Sequence, residues 1–102
     1  MPKPSTLVTL EALRDLAPDI VRVAEGRGAR NIRVFGSVAR GRADATSDVD
    51  LLVDLDPDRG LFDLGGLTMD LIDLLGTSVD VVTEASLAPR VRARVVTEAV
   101  PL

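Results

Sequence analysis

The run DVDLLVDL, residues 48 to 55, constrains the fold more than any other part of this sequence. Side chains in a β-strand alternate between its two faces. One face of this predicted strand carries only Val and Leu, which predicts packing in a hydrophobic core. The residues predicted to share the other face are Asp48, Asp50, Leu52 and Asp54. Because carboxylates on one face of a buried strand repel one another, something must offset the cost of placing them there, and its identity bears on function.

A bound cation is one way to offset that charge. The Cα atoms of Asp48 and Asp50 are expected to lie about 6.6–6.8 Å apart, so their carboxylates can lean together. Mg²⁺ prefers oxygen ligands and keeps several waters, so one or two carboxylates suffice to hold it. If the Val-rich strand predicted over residues 78–83 is a neighbour, Asp80 joins the pair, and three carboxylates suit a two-metal site for in-line phosphoryl or nucleotidyl transfer. The alternative is that each Asp is a solvent-facing acid at a strand edge, since D-x-D alone is a weak signal.

A glycine–serine turn precedes the carboxylates. A predicted strand ends before Gly36, and a short helix is predicted to begin near Ser37, where free N–H groups and a partial positive charge favour phosphate. Gly36 would let a phosphate approach the backbone, the Ser37 hydroxyl could donate to it, and Arg40 could neutralise its charge. The alternative is that Ser37 only caps a helix and that Arg40 pairs with Asp44 or Asp48.

Hydrophobic periodicity predicts the remaining elements. The predicted helices cover residues 6–25 (as two helices or one kinked at Pro18), 37–42, 61–75 and 86–99, and the predicted strands cover 31–35, 48–55 and 78–83. Gly76 is expected to end the third helix. Helices that alternate with strands predict an α/β fold with one sheet covered by helices, in the order α-β-α-β-α-β-α.

Composition narrows the class of protein. A length of 102 residues predicts a single domain over residues 1–102. The chain has no Cys and no His, which excludes disulfides, the usual zinc sites and an imidazole base. No apolar run approaches the ~20 residues of a membrane span, and the N-terminus lacks the order of a signal peptide, so we expect a cytoplasmic protein that does not bind membranes.

Charge is concentrated in the middle of the sequence. Residues 44–80 contain ten Asp and one Arg, whereas the whole chain has a net charge of −4. An acidic segment argues against an extended nucleic-acid surface and is compatible with a bound cation, although a solvated acidic face would have the same composition. Two Phe, with no Trp or Tyr, also offer few stacking platforms for bases.

The combined pattern resembles the nucleotidyltransferase superfamily typified by DNA polymerase β, and more closely the minimal nucleotidyltransferase (MNT) domains of prokaryotes. Their signature is roughly G-S-x-A-R-G-x5-S-D-x-D-L-x-V, and residues 36–53 read GSVARGRADATSDVDLLV. The VDVV run at residues 79–82 matches the strand that carries the third carboxylate of the family. The resemblance covers essentially the whole chain. It implies the polymerase β-like fold, a small mixed sheet with flanking helices.

The resemblance also implies roles for individual residues. Asp48 and Asp50 would bind two Mg²⁺ ions that hold ATP, and Asp80 would complete the metal site and help to activate the attacking hydroxyl. The residues implied to contact the nucleotide are Gly36, Ser37, Arg40 and Ser47.

Many stand-alone MNT domains are antitoxins paired with a HEPN-domain ribonuclease toxin, and they transfer AMP to a tyrosine of that toxin. The resemblance therefore implies an adenylyltransferase in a hetero-oligomer, without direct nucleic-acid binding. One alternative is a non-catalytic antitoxin that masks its toxin, and another is transfer to a small molecule. The intact turn and carboxylates favour catalysis. Near the C-terminus, Val91, Val95 and Leu102 are expected to close the core, or else to contact a partner.

Overall fold

One mixed sheet of four strands organises the computed structural model, which describes residues 8–44 and 47–102. Its strands are β1 (Ala29–Phe35), β2 (Val49–Leu55), β3 (Val79–Val82) and β4 (Val100–Pro101). Their order across the sheet is β3-β2-β1-β4. β1 is antiparallel to β2 and β4, whereas β2 and β3 are parallel. The predicted fold class, a small mixed sheet with flanking helices, is confirmed.

The helices follow the predicted order. They are α1 (Leu10–Asp15), α2 (Ala17–Gly26), α3 (Gly36–Ala39), α4 (Leu61–Leu75) and α5 (Pro89–Glu98). The first predicted helix is divided in two at Leu16, and Pro18 lies in the first turn of α2, where its missing N–H leaves no bond unmade. Gly76 ends α4 in the left-handed conformation, with φ of 69°.

Some sequence predictions fall outside the described residues. These are residues 6 and 7 of the first predicted helix, and residues 45 and 46 between the predicted helix 37–42 and the predicted strand 48–55. Within the described ranges, no helix combines the length and the apolar character needed to cross a membrane.

The apolar face of β2 anchors the main core, as predicted. Val49, Leu51 and Val53 are at most 1% exposed. They belong to one buried cluster with side chains of α1, α2 and α4, namely Leu13, Ile20, Ala24, Leu67 and Leu71. The strand that carries the carboxylates is therefore held from the opposite side of the sheet.

The structure differs from the prediction at the C-terminal end. The last helix begins at Pro89 rather than at residue 86, after a short 3₁₀ turn at Glu84–Ser86. Val95 is buried and Leu102 packs against the core, but Val91 is 42% exposed, so the prediction that it closes the core is wrong. The two-residue strand β4 was not predicted, because a strand this short has no periodicity.

Candidate active site

The register of β2 and β3 brings two predicted metal ligands together. Asp50 lies directly opposite Asp80 in this parallel pair. Paired residues on neighbouring strands are about 4.8 Å apart and project from the same face of the sheet. Asp48, which is exposed, lies immediately before the first residue of β2. The expectation that the two Asp-bearing strands are neighbours is confirmed, and Asp48 lies close enough to Asp50 for its negative charge to act on that carboxyl group.

Gly36 gives the Asp50 carboxylate its space. The antiparallel register pairs Phe35 with Asp50, so the next residue of the chain, Gly36, lies against the Asp50 side chain. Its φ is +74°, which L-residues adopt at a cost in strain, and a Cβ placed there would overlap Asp50 Oδ2. The sequence predicted this glycine to admit a phosphate. In the structure its missing side chain admits a carboxylate.

The environment of Asp50 opposes ionisation of its carboxyl group. Burial and, after it, the negative charges of Asp80, Asp48 and Glu98 raise the pKa of Asp50 to about 6, although Arg40 acts in the opposite direction. A cation bound here would be favourable, because its positive charge would offset the repulsion between the carboxylates and compensate the partly buried negative charge of Asp50.

Arg40 is placed beside these carboxylates by α3 and α5. It caps the C-terminal end of α3, and its Nη1 donates a hydrogen bond to Oε1 of Glu98, the last residue of α5. The sequence suggested Asp44 or Asp48 as partners of Arg40 because they are close along the chain. It gave no signal for Glu98, which is 58 residues away in sequence.

The two serines of the motif lie in different elements, Ser37 in α3 and Ser47 two residues before β2. Ser37 is in the first turn of α3 and is partly exposed, and its carbonyl accepts a hydrogen bond from the Arg42 N–H at 2.9 Å. The Ser47 hydroxyl accepts a hydrogen bond from the Asp44 N–H at 3.0 Å. This bond links Ser47 to Asp44, and the predicted contact of Ser47 with the nucleotide stays a prediction.

The donor set suits a hard cation that also binds another ligand. Asp48, Asp50 and Asp80 offer only carboxylate oxygens, which Mg²⁺ prefers. Across residues 8–44 and 47–102, however, no three acidic side chains converge closely enough to hold an ion alone. Asp50 and Asp80 are one pair of neighbouring carboxylates, and one or two carboxylates suffice for Mg²⁺ when water and the oxygens of a substrate phosphate complete its shell.

The pKa of Asp50 predicts how stability depends on pH without metal. The folded state holds this proton more tightly than the unfolded state, so the free energy of unfolding falls as pH rises from about 4 to about 6. Asp50→Asn removes the titrating carboxyl group, so the free energy of unfolding of this variant should not show that fall. We expect the variant to be about 1–2 kcal/mol more stable at pH 7, a value reduced for the water that reaches the side chain.

Urea unfolding in EDTA at pH 4 and pH 7 measures this effect. Asp58→Asn, which makes the same change at an exposed turn residue, is the control and should follow the wild type at both pH values. Equal stability of Asp50→Asn and wild type at pH 7 would contradict the electrostatic description of the site.

Known proteins similar to this chain agree on one family. The sequence profile of the family described as nucleotidyltransferase domain matches residues 10–102. The protein adenylyltransferase MntA of Thermococcus cleftensis is 38% identical over 95 residues, which cover 92% of this chain and 96% of that protein. A candidate protein adenylyltransferase of Methanocaldococcus jannaschii is 34% identical over 88 residues, 86% of this chain and 95% of that protein.

Solved structures share the fold. A candidate minimal nucleotidyltransferase is 46% identical, with a TM-score of 0.83 over 93% of this chain and 97% of that chain. A toxin–antitoxin structure with AMP-PNP has a TM-score of 0.71 over 82% of this chain and 69% of that one, but at 23% identity the likeness is one of fold alone. The resemblance seen in the motifs is thus confirmed: the chain belongs to the nucleotidyltransferase domain family and is a nucleotidyltransferase.

Proposed function

We propose that this chain transfers AMP from ATP, with Mg²⁺, to a tyrosine of a cognate HEPN-family toxin. The observation that carries the proposal is the register of Asp50 with Asp80, which places two carboxylates side by side next to the Gly36–Ser37 turn. The names of the relatives support a protein as the acceptor, since they are called protein adenylyltransferases.

In this proposal Asp48, Asp50 and Asp80 hold Mg²⁺. When bound, the ions neutralise the triphosphate and the charge that develops on it during transfer. The backbone at Gly36, the Ser37 hydroxyl and the Arg40 guanidinium bind phosphate oxygens. They fix the α-phosphorus in line with the acceptor, which contributes through positioning rather than covalent chemistry.

The transfer step has a simple balance. The acceptor hydroxyl oxygen forms a bond to the α-phosphorus, and the bond from that phosphorus to the α,β-bridging oxygen breaks. Pyrophosphate leaves, and AMP stays on the acceptor as a phosphodiester. Asp80, exposed beside Asp50, receives the hydroxyl proton directly or passes it through water.

A toxin as partner is supported by solved toxin–antitoxin structures that share this fold. Two toxin–antitoxin structures have TM-scores of 0.71 and 0.66 with this chain, one with AMP-PNP and one described as MntA-HpeT. We extend that pairing to this chain, and the HEPN class and the tyrosine acceptor come from the family resemblance.

An exposed apolar surface also supports a protein partner. Leu61, Phe62 and Met69, here called the α4 patch, are 86%, 97% and 61% exposed. They lie within about 100° of one another around the helix, and Gly65 leaves open space between them. Three of the five Asp in residues 56–75 are paired with arginines, so the matching surface is chiefly apolar.

The α4 patch also keeps a second function open. α4 begins beyond the end of β2 that is remote from Asp50, so a toxin bound there need not reach the carboxylates. A non-catalytic antitoxin that neutralises its toxin by masking it would use the same patch. Retention of three clustered, mutually repelling acids favours catalysis over this alternative.

The transfer is tested with the toxin encoded beside this chain. After incubation with Mg²⁺ and ATP, the intact mass of the toxin should increase by one or more adenylyl groups, and peptide mapping should place them on tyrosine. Asp50→Asn should abolish the gain, because it removes a metal ligand. The matched variant Asp58→Asn should retain it.

A stable complex without any gain in mass would overturn catalysis and favour masking. A gain that persists in Asp50→Asn would overturn the assignment of the metal site.

The contact surface is tested by Phe62→Ser. Loss of a large exposed aromatic side chain should weaken toxin binding at least about fivefold in calorimetry, since interface aromatics commonly contribute more than ~1 kcal/mol. Val21→Ser, an exposed apolar residue on α2, is the control and should bind as the wild type does. Unchanged affinity of Phe62→Ser would remove the α4 patch from the interface.

A further inference from the structure

The ion pair between Arg40 and Glu98 joins two elements at the edge of the carboxylate site. Arg40 comes from the end of α3 and Glu98 from the end of α5. The side chains of the two residues differ in exposure, 50% for Arg40 and 19% for Glu98. The carboxylate is therefore the sheltered member of the pair, and the guanidinium is the member that solvent and ligands can reach.

Glu98 is held from both directions along the chain. One turn before it, Val95 is buried, and the Val95 carbonyl accepts a hydrogen bond from the Ala99 N–H at 2.8 Å. After it, β4 pairs with β1 through Arg33 and Val34. The same strand β1 leads directly into Gly36, so the segment after Glu98 and the Gly36–Ser37 turn are both attached to β1.

The position of Glu98 is otherwise unfavourable. An acidic side chain at the C-terminus of a helix meets the negative end of the helix dipole. Considered within α5 alone, Glu98 therefore destabilises the helix. The contact with Arg40 supplies a reason for an acid at this position.

Both members of the pair lie within electrostatic reach of the carboxylate cluster. Arg40 lowers the pKa of Asp50 and Glu98 raises it. An arginine without a partner beside three carboxylates would be drawn onto them and would compete with a cation. A fixed acid on its other side restrains it.

We propose that Glu98 is a positioning residue for nucleotide binding, since its sheltered carboxylate holds the Arg40 guanidinium beside the carboxylate cluster with donors left for the triphosphate. An arginine has five N–H donors, and the contact with Glu98 engages one nitrogen. The remaining planar edge can bind phosphate oxygens in pairs. This inference rests on the proposed function, because it takes Arg40 to be a phosphate ligand.

A purely structural link between α3 and α5 is the competing explanation. A structural link would change stability but not the affinity for a nucleotide in the folded protein. A positioning role requires Arg40, so the effect of removing Glu98 must vanish once Arg40 is absent. A double-mutant cycle separates the two explanations.

The experiment measures binding of Mg²⁺ with α,β-methylene ATP, which lacks the bond that transfer breaks, to four proteins by calorimetry. These are the wild type, Glu98→Gln, Arg40→Ala and the double variant. Glu98→Gln should weaken binding about tenfold, the size of one lost charge-assisted interaction, and should add less than about twofold in the Arg40→Ala background. Glu84→Gln is the control, because Glu84 also pairs with an arginine, Arg33 at 3.6 Å, but beside the other end of β2.

The possible outcomes are distinct. Glu98→Gln that binds as the wild type does, with both proteins folded by circular dichroism, overturns the positioning role. The positioning role is also overturned if the loss of affinity in the double variant equals the product of the two single losses, because Glu98 would then act without Arg40. A wild type that binds no nucleotide overturns the proposed function itself, and this inference with it.

Discussion

The parallel pairing of Asp50 with Asp80 is the constraint on which the rest of the site depends. It sets two carboxylates about one strand spacing apart, where their charges and their partial burial raise the pKa of Asp50 to about 6. The fold tolerates this because Val49, Leu51 and Val53 anchor the same strand in the core from the opposite face. The hydrophobic effect thus holds in place an electrostatic arrangement that is unfavourable without a cation.

The surrounding elements serve the same pair. Gly36 leaves room for the Asp50 side chain through a backbone conformation that favours glycine, and α3 then carries Arg40 to the same side. Arg40 forms an ion pair with Glu98 of α5, and this pair keeps its guanidinium from moving onto the three carboxylates. In the proposed function, the carboxylates hold the cation and the side of the site that carries Arg40 binds phosphate.

The sequence predicted the parts of this arrangement that depend on local pattern. Alternation along β2, the Gly36 turn and the end of α4 at Gly76 each follow from the conformational preferences of a few neighbouring residues. Glu98 could not be predicted, because its partner is fixed only by the packing of α5 and the pairing of β4. Leu52 shows the same limit: it shares a face with Asp50 but is fully buried, since tertiary contacts and not the strand pattern cover it.

The most direct test of this account is the number of protons released when Mg²⁺ binds. Calorimetry in two buffers of different ionisation enthalpy gives that number at pH 6 and at pH 7.5. If the cation binds at Asp50, whose pKa is about 6, about half a proton should leave per protein at pH 6 and almost none at pH 7.5. Mg²⁺ binding to the nucleotide-free protein with no proton release at pH 6, or no Mg²⁺ binding to that protein at either pH, would contradict the claim that these carboxylates form a cation site.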